Sequence, residues 1–180
     1  MKLILVRHGE TQEGKKGIIL GSLGGTITAQ GKKEAKEIVQ ELTTKKLIPN
    51  VIISSPLKRA KNTACIISRA LKINVLYEPL IRERSAGISE GKNEKNINWE
   101  LYEKKPLTTR KHKGGESFSQ VYVRAEKFLR KLHKKYNNET ILVISHSAFI
   151  LMLLALIKHK TIEQILQNNP KDRIIVLQVK

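Results

Sequence analysis

Leu3-Ile4-Leu5-Val6 and Ile141-Leu142-Val143-Ile144 are apolar at every position. A strand with one wet face alternates polar and apolar residues, whereas a strand covered on both faces does not. These runs therefore predict central strands of a sheet sandwiched between helices. Val51-Ile52-Ile53 reads the same way, and Ile73 to Tyr77 and Ile174 to Val179 supply two more strands. Helical patterns lie between them. A helix from about Ala29 turns Ala35, Ile38, Val39 and Leu42 inward, and Ser55 and Pro56 read as N-cap and first residue of a helix running to about Leu71. Glu94 to Lys104 reads as a short helix carrying Trp99 and Tyr102, a lid stopped by Pro106. Ser117-Phe118-Ser119-Gln120 is a capping box opening a long helix with Val121, Ala125, Phe128, Leu129 and Leu132 inside. An apolar helix follows Ser147, and Thr161 to Gln164 is a second capping box. The alternation predicts an α/β three-layer sandwich, with a mostly parallel central sheet and helices on both faces. With no repeat or linker in 180 residues, one domain over 1–180 is expected.

Both fully apolar runs deliver a histidine at their carboxyl end. Arg7-His8-Gly9-Glu10-Thr11 follows the first, and Ser145-His146-Ser147 follows the second. Ligands of open α/β sheets bind at the carboxyl ends of the strands, so two histidines and an arginine there form a candidate active site.

Composition excludes several chemistries. The chain carries 34 Lys and Arg against 16 Asp and Glu, a formal charge of +18, and Asp172 is its single aspartate. An aspartyl nucleophile or a clustered-aspartate magnesium site needs several well-placed aspartates. The one cysteine, Cys65, has Leu71 six residues on, so the Cys-x5-Arg loop of cysteine-dependent phosphatases is absent. Cys65 reads as a small packing residue of a reducing, cytoplasmic protein. The longest apolar run, Ala148 to Ile157, has ten residues where a membrane span needs about twenty, and no targeting segment stands out. The lysine pairs are scattered along the whole chain, which makes compositional bias a better reading than a nucleic-acid surface. Arg110-Lys111-His112-Lys113 is the densest cluster and is expected near the site mouth, with His112, His133 and His159 solvated.

The motifs together resemble those of the histidine phosphatase, or phosphoglycerate mutase-like, superfamily. Arg7 to Thr11 resembles its RHGE signature, and Thr28-Ala29-Gln30-Gly31 with Ala35 its TxxGxxxA helix entry. Ser54 to Ala64 resembles SSPLxRAxxTA closely. Leu80 to Gly91 resembles LxExxxGxxEG, Gly115-Glu116-Ser117 its GES element, and Ser145-His146-Ser147 its SHG. The similarity covers nearly the whole chain, in the family's order. Three positions depart from the pattern. Gly14 stands where members often carry a phosphate-binding Asn, Thr26-Ile27 lack the usual acid before the TxxG element, and Ser147-Ala148 replace Gly-Gly or Gly-Asn.

The resemblance implies a metal-independent phosphomonoester hydrolase, with no cofactor, acting on a small phosphorylated metabolite. His8 attacks phosphorus and holds it as phosphohistidine. Arg7, Arg59 and His146 match the charge that spreads over the transferring oxygens, and Thr11 and the Ser147 amide add phosphate contacts. Glu83 is the expected general acid, with Glu90 and Glu116 as competitors, and Glu10 is expected to orient a loop. Sugar phosphates, phosphoglycerates, a nucleoside monophosphate or a phosphoprotein all remain possible substrates. A phosphoglycerate mutase is the alternative. Mutases of this family resemble longer chains, and only about thirty residues separate Glu83 from Gly114 here. A basic nucleic-acid-binding protein on the same fold is a second alternative. Exposed strand edges and the apolar helix after Ser147 permit a homodimer without demanding one.

Overall fold

A computed structural model describes residues 1–168, 170 and 172–179. Strand β1 (Lys2–Arg7) leads through helices α1 (Gln12–Lys15) and α2 (Ala29–Thr44) to β2 (Val51–Ser54), α3 (Lys58–Leu71) and β3 (Val75–Tyr77). Three 3₁₀ turns and the short α4 (Trp99–Glu103) precede α5 (Phe118–Lys135), β4 (Thr140–Ser145), α6 (Ser147–Ile157), α7 (Ile162–Gln167) and β5 (Ile174–Gln178). The strands lie in the order β3-β2-β4-β1-β5. The first four are mutually parallel and β5 runs antiparallel along β1. The fold is thus the α/β sandwich expected from the sequence.

Two cores explain the unbroken apolar runs. Ile4, Val6, Ile52, Leu142 and Ile144 face α2 and α3, against Ala35, Ile38, Leu42, Ala60, Ala64 and Ile67. Their sequence neighbours Leu3, Leu5, Ile53, Ile141 and Val143 face α5 and α6, against Val121, Phe128, Phe149 and Leu153. Successive side chains of a strand point to opposite faces, so both sets must be apolar. Helix α6 is apolar all round because α5, α7 and β1 enclose it.

Both capping boxes form, at Ser117 with Gln120 and at Thr161 with Gln164. Three local expectations change. Helix α3 begins at Lys58 with Leu57 as its N-cap, so Ser55 is not the cap. Ile73 stays outside β3 because Lys72 turns left-handed (φ 57°) and the Ile73 amide closes on Ser68 O at 3.2 Å. Residues 94–104 form two pieces rather than one helix, since Ile97 is extended between the Asn93-capped turn and α4.

Candidate active site

Parallel pairing puts the functional residues in a row. Arg7 is in register with Ser145, and Ser54 with Ile144. The residues just past these strand ends, His8, His146 and Ser55, are therefore neighbours along the sheet's carboxyl edge. The two imidazole centroids lie 5.0 Å apart.

His8 has a defined tautomer. Its Nδ1 lies 2.8 Å from the Gly9 carbonyl, and Arg59 Nε lies 3.1 Å from its Nε2. A carbonyl only accepts and a guanidinium only donates, so Nδ1 carries the hydrogen and Nε2 presents a lone pair. Burial, opposed by the Gly9 hydrogen bond and assisted by Arg59 and Arg7, lowers the His8 pKa to about 3. His8 is thus a neutral imidazole whose Nε2 lone pair accepts from Arg59.

Arg59, the second residue of α3, is 1% exposed. Its terminal nitrogens donate to the carbonyls of Gly21 and Leu23, so the guanidinium is fixed by the 21–24 loop instead of standing as a free fork. Arg7 is exposed and carries no such bonds. His146 is fully buried, with Nε2 2.8 Å from Ser55 Oγ and Nδ1 without a partner. Burial, then Arg59, His8, Arg7 and Arg124, hold its pKa well below the usual imidazole value. Thr11 caps α1 by accepting from the Gly14 amide, which leaves its hydroxyl hydrogen to donate. Ser147 opens α6 in helical geometry and without positive φ, so the departure from glycine there brings no strain. Arg7, His8, Thr11 and Ser147 line one cavity of about 660 Å³, a volume suited to a small ligand. Glu83, Arg59 and His146 are not among the residues lining that cavity. Glu83 Oε1 accepts from the amides of Arg84 (2.8 Å) and Ala148 (3.2 Å) at the start of α6, and its charge acts on Arg59.

Glu90 and Glu116 have other work. Glu90 Oε1 accepts from the Ser22 and Ala86 amides and the Ser85 hydroxyl, tying the 20–22 loop to 85–86. Glu116 binds Arg82, Arg124 and the Ser85 amide. Burial raises its pKa, but Arg124 and the Ser85 amide outweigh that and hold it below the carboxylate norm. Glu10 accepts from Thr28 Oγ1 at 2.7 Å and orients the loop. His112 is half-buried rather than fully solvated as expected. It stacks on Tyr102 at 4.4 Å, with Arg110 over the same ring and Trp99 edge-on, so these two residues pack on α4 while Lys111 and Lys113 are exposed. Among the described residues no group of three His, Cys, Asp or Glu could hold a metal ion.

Sequence reasoning missed three contributors. Ser55 was assigned to a helix cap, although parallel strands of this register bring it beside His146. Thr63 Oγ1 accepts the Gly9 amide at 3.0 Å, which accounts for a threonine one turn after Arg59. Gly31 is the third. A Cβ on Gly9 would stand 2.4 Å from Gly31 O, and one on Gly31 would stand 2.3 Å from Glu10 O, so the RHG and TxxG glycines are a mutual backbone contact.

Comparison with known proteins agrees with this geometry. The model of the histidine phosphatase superfamily (branch 1) matches residues 3–176. The chain is 38% identical over 156 residues to phosphoserine phosphatase 1 of Hydrogenobacter thermophilus, covering 82% of this chain and 71% of that protein. It is 32% identical over 161 residues to a metal-independent phosphoserine phosphatase of Arabidopsis thaliana, covering 83% of this chain and 65% of the relative. A phosphoserine phosphatase mutant of Entamoeba histolytica in complex with phosphoserine superposes with a TM-score of 0.84 at 27% identity, covering 97% of this chain and 89% of that one. The chain belongs to branch 1 of the histidine phosphatase superfamily.

Proposed function

We propose that this chain is a metal-independent phosphomonoester hydrolase working through phosphohistidine, with residues 1–180 as one catalytic domain. One observation carries the reading. His8 Nε2 keeps its lone pair, in a neutral ring, while it faces the fixed charge of Arg59. That lone pair is held by one donor, the Arg59 N–H, whose charge also suits an electrophile bearing negative oxygens.

Phosphorus and the Arg59 N–H compete for the same lone pair. When the phosphoryl group arrives, Arg59 Nε passes from His8 to a phosphoryl oxygen, while its two terminal nitrogens keep their carbonyls. Nε2 then forms the N–P bond as the P–O bond to the leaving group breaks, and Glu83 gives its proton to the departing oxygen. Arg7, Arg59, the His146 ring, Thr11 and the Ser147 amide share the oxygens' charge. Water attacks the phosphohistidine, its proton passes to Glu83, the P–N bond breaks and phosphate leaves with His8 restored. Glu83 suits the role because, among the described residues, its hydrogen bonds fall on Oε1, which leaves Oε2 available for proton transfer.

Phosphoserine leads the substrate candidates, since the relatives described above are named for it. The test is phosphate release in EDTA across phosphoserine, phosphoglycerates, sugar phosphates and nucleoside monophosphates, with His8→Ala as control. The expected result is turnover that EDTA leaves intact, that His8→Ala abolishes, and that passes through an acid-labile phosphoprotein. EDTA-sensitive turnover, an active His8→Ala variant, or isomer formation in place of phosphate release rejects the reading.

A further inference from the structure

We propose that Ser55 is a positioning residue that fixes the tautomer of His146, so that the neutral imidazole presents Nδ1–H to the phosphoryl group. This rests on the phosphatase reading above and assigns a role within it that the strand-end motif alone does not reveal.

A neutral imidazole has one N–H, and its position decides what the ring can do. With hydrogen on Nδ1, His146 has a donor on the ring nitrogen that Ser55 does not hold. With hydrogen on Nε2, it would instead aim a lone pair at phosphoryl oxygens and repel them. The surroundings of Ser55 choose between these. Ser55 is fully buried at the end of β2. Its Oγ receives the Leu57 amide hydrogen at 3.3 Å, so the amide occupies one acceptor position of the hydroxyl. The other contact of Oγ is His146 Nε2 at 2.8 Å. Among the described residues, that nitrogen is the one acceptor in reach of the Ser55 hydroxyl hydrogen. If Nε2 carried the proton, the hydroxyl hydrogen would be buried without an acceptor, an unfavourable state. The hydroxyl therefore donates to Nε2, and the ring hydrogen lies on Nδ1. That atom is the buried one left without a partner, a donor waiting for an acceptor the free protein does not supply.

The backbone makes this arrangement robust. Ser55 N donates to Ile144 O at 3.0 Å, continuing the β2–β4 ladder one residue past the strand, and Ser54 Oγ donates to the Ser55 carbonyl at 3.0 Å. The hydroxyl is thus held on the same rigid sheet edge as the ring it serves. His8 is fixed in the matching way, with Gly9 O taking its Nδ1 hydrogen. The two rings carry the same tautomer for opposite purposes: His8 keeps an unprotonated Nε2 for attack, and His146 keeps Nδ1–H to stabilise.

The experiment is a long-range ¹H–¹⁵N correlation spectrum of the free full-length protein labelled with ¹⁵N-histidine at neutral pH, with His146 assigned by loss of its signals in His146→Gln. Wild type is expected to show a protonated Nδ1 and a bare Nε2. Ser55→Ala is expected to lose that preference, and Ser55→Thr to keep it. In turnover, Ser55→Ala lowers kcat by roughly 10- to 100-fold with little change in KM, as expected for a donor misdirected in the transition state, and Ser55→Thr restores most of it. A wild-type His146 protonated on Nε2, or a tautomer unmoved in Ser55→Ala, overturns the assignment. The spectrum needs no substrate, so the tautomer result stands or falls separately from the phosphatase reading.

Discussion

Arg59 Nε donates to His8 Nε2 at 3.1 Å, on the ring nitrogen opposite the one bonded to Gly9 O. This contact does two things in the free protein. It favours the tautomer with hydrogen on Nδ1, and it occupies Nε2 with an N–H that, in the reaction proposed above, moves onto a phosphoryl oxygen.

Arg59→Lys is expected to lose most activity while remaining folded. Lysine keeps one charge, but a single ammonium cannot hold the Gly21 and Leu23 carbonyls and also face His8. Arg59→Ala additionally strands the buried Gly21 carbonyl and opens a cavity. Its loss of stability is expected to be roughly 2–5 kcal/mol, read from urea unfolding midpoints at constant slope. Equal activity in wild type and Arg59→Lys contradicts a need for the guanidinium to hold the loop carbonyls and face His8 at once.

Acid stability follows from His8. Its pKa is about 3 in the folded protein against 6.5 when free. Between those values the unfolded chain binds a proton that the folded one refuses. The contribution of neutral His8 is fully present above pH 6.5 and is lost as pH falls toward 3. His146 is depressed in the same direction, by burial first and then by Arg59. Urea unfolding at pH 7 and pH 4.5 should therefore show a smaller acid loss for His8→Gln than for wild type. Equal losses contradict the buried neutral state.

Much of this was legible in the sequence, and the reasons are local. Four-residue apolar runs identified β1 and β4 because burial on both faces leaves no polar position, and Ser117 and Thr161 marked helix starts through their own side chains. What escaped depends on partners far along the chain. Ser55 looks like a helix cap until β2 is placed beside β4, and Arg59 looks like a free fork until the 21–24 loop is folded over it. Glu83, Glu90 and Glu116 have the same side chain, so the residue type alone does not separate their roles. Only the folded structure shows Glu116 clasped by Arg124, Glu90 stapling a loop, and Glu83 with its hydrogen bonds on Oε1.

That difference is measurable. Glu83→Gln is expected to reduce kcat by roughly 10²- to 10⁴-fold on an alkyl phosphate, and by much less on an aryl phosphate whose leaving group needs no proton. Its stability should change little. Glu116→Ala should show the opposite pattern, because it leaves Arg124, 8% exposed, as a buried charge without its partner. A destabilisation of about 3–5 kcal/mol is expected there. If Glu83→Gln loses equally on both substrates, proton donation to the leaving group is not its role.

Gly31→Ala tests whether the phosphate loop is set by backbone contact. Helix α2 starts at Thr28, whose Oγ1 accepts the Gly31 amide at 3.0 Å and whose amide donates to Glu10 O at 3.0 Å. The helix entry and the loop after β1 are thereby clamped together. A methyl on Gly31 would lie 2.3 Å from Glu10 O and 2.7 Å from Glu10 N, both backbone atoms, so no side chain can swing away to admit it. Either α2 withdraws from the sheet or residues 9 and 10 shift. The first costs core packing at Ala35 and Ile38. The second moves the Gly9 carbonyl that holds the His8 ring. Gly31→Ala should therefore lower both stability, by roughly 1–3 kcal/mol, and kcat. Ala29→Gly, in the same first turn, serves as control and should cost stability by about 1 kcal/mol without touching kcat. A Gly31→Ala variant with wild-type turnover would show that the loop holds His8 without this contact.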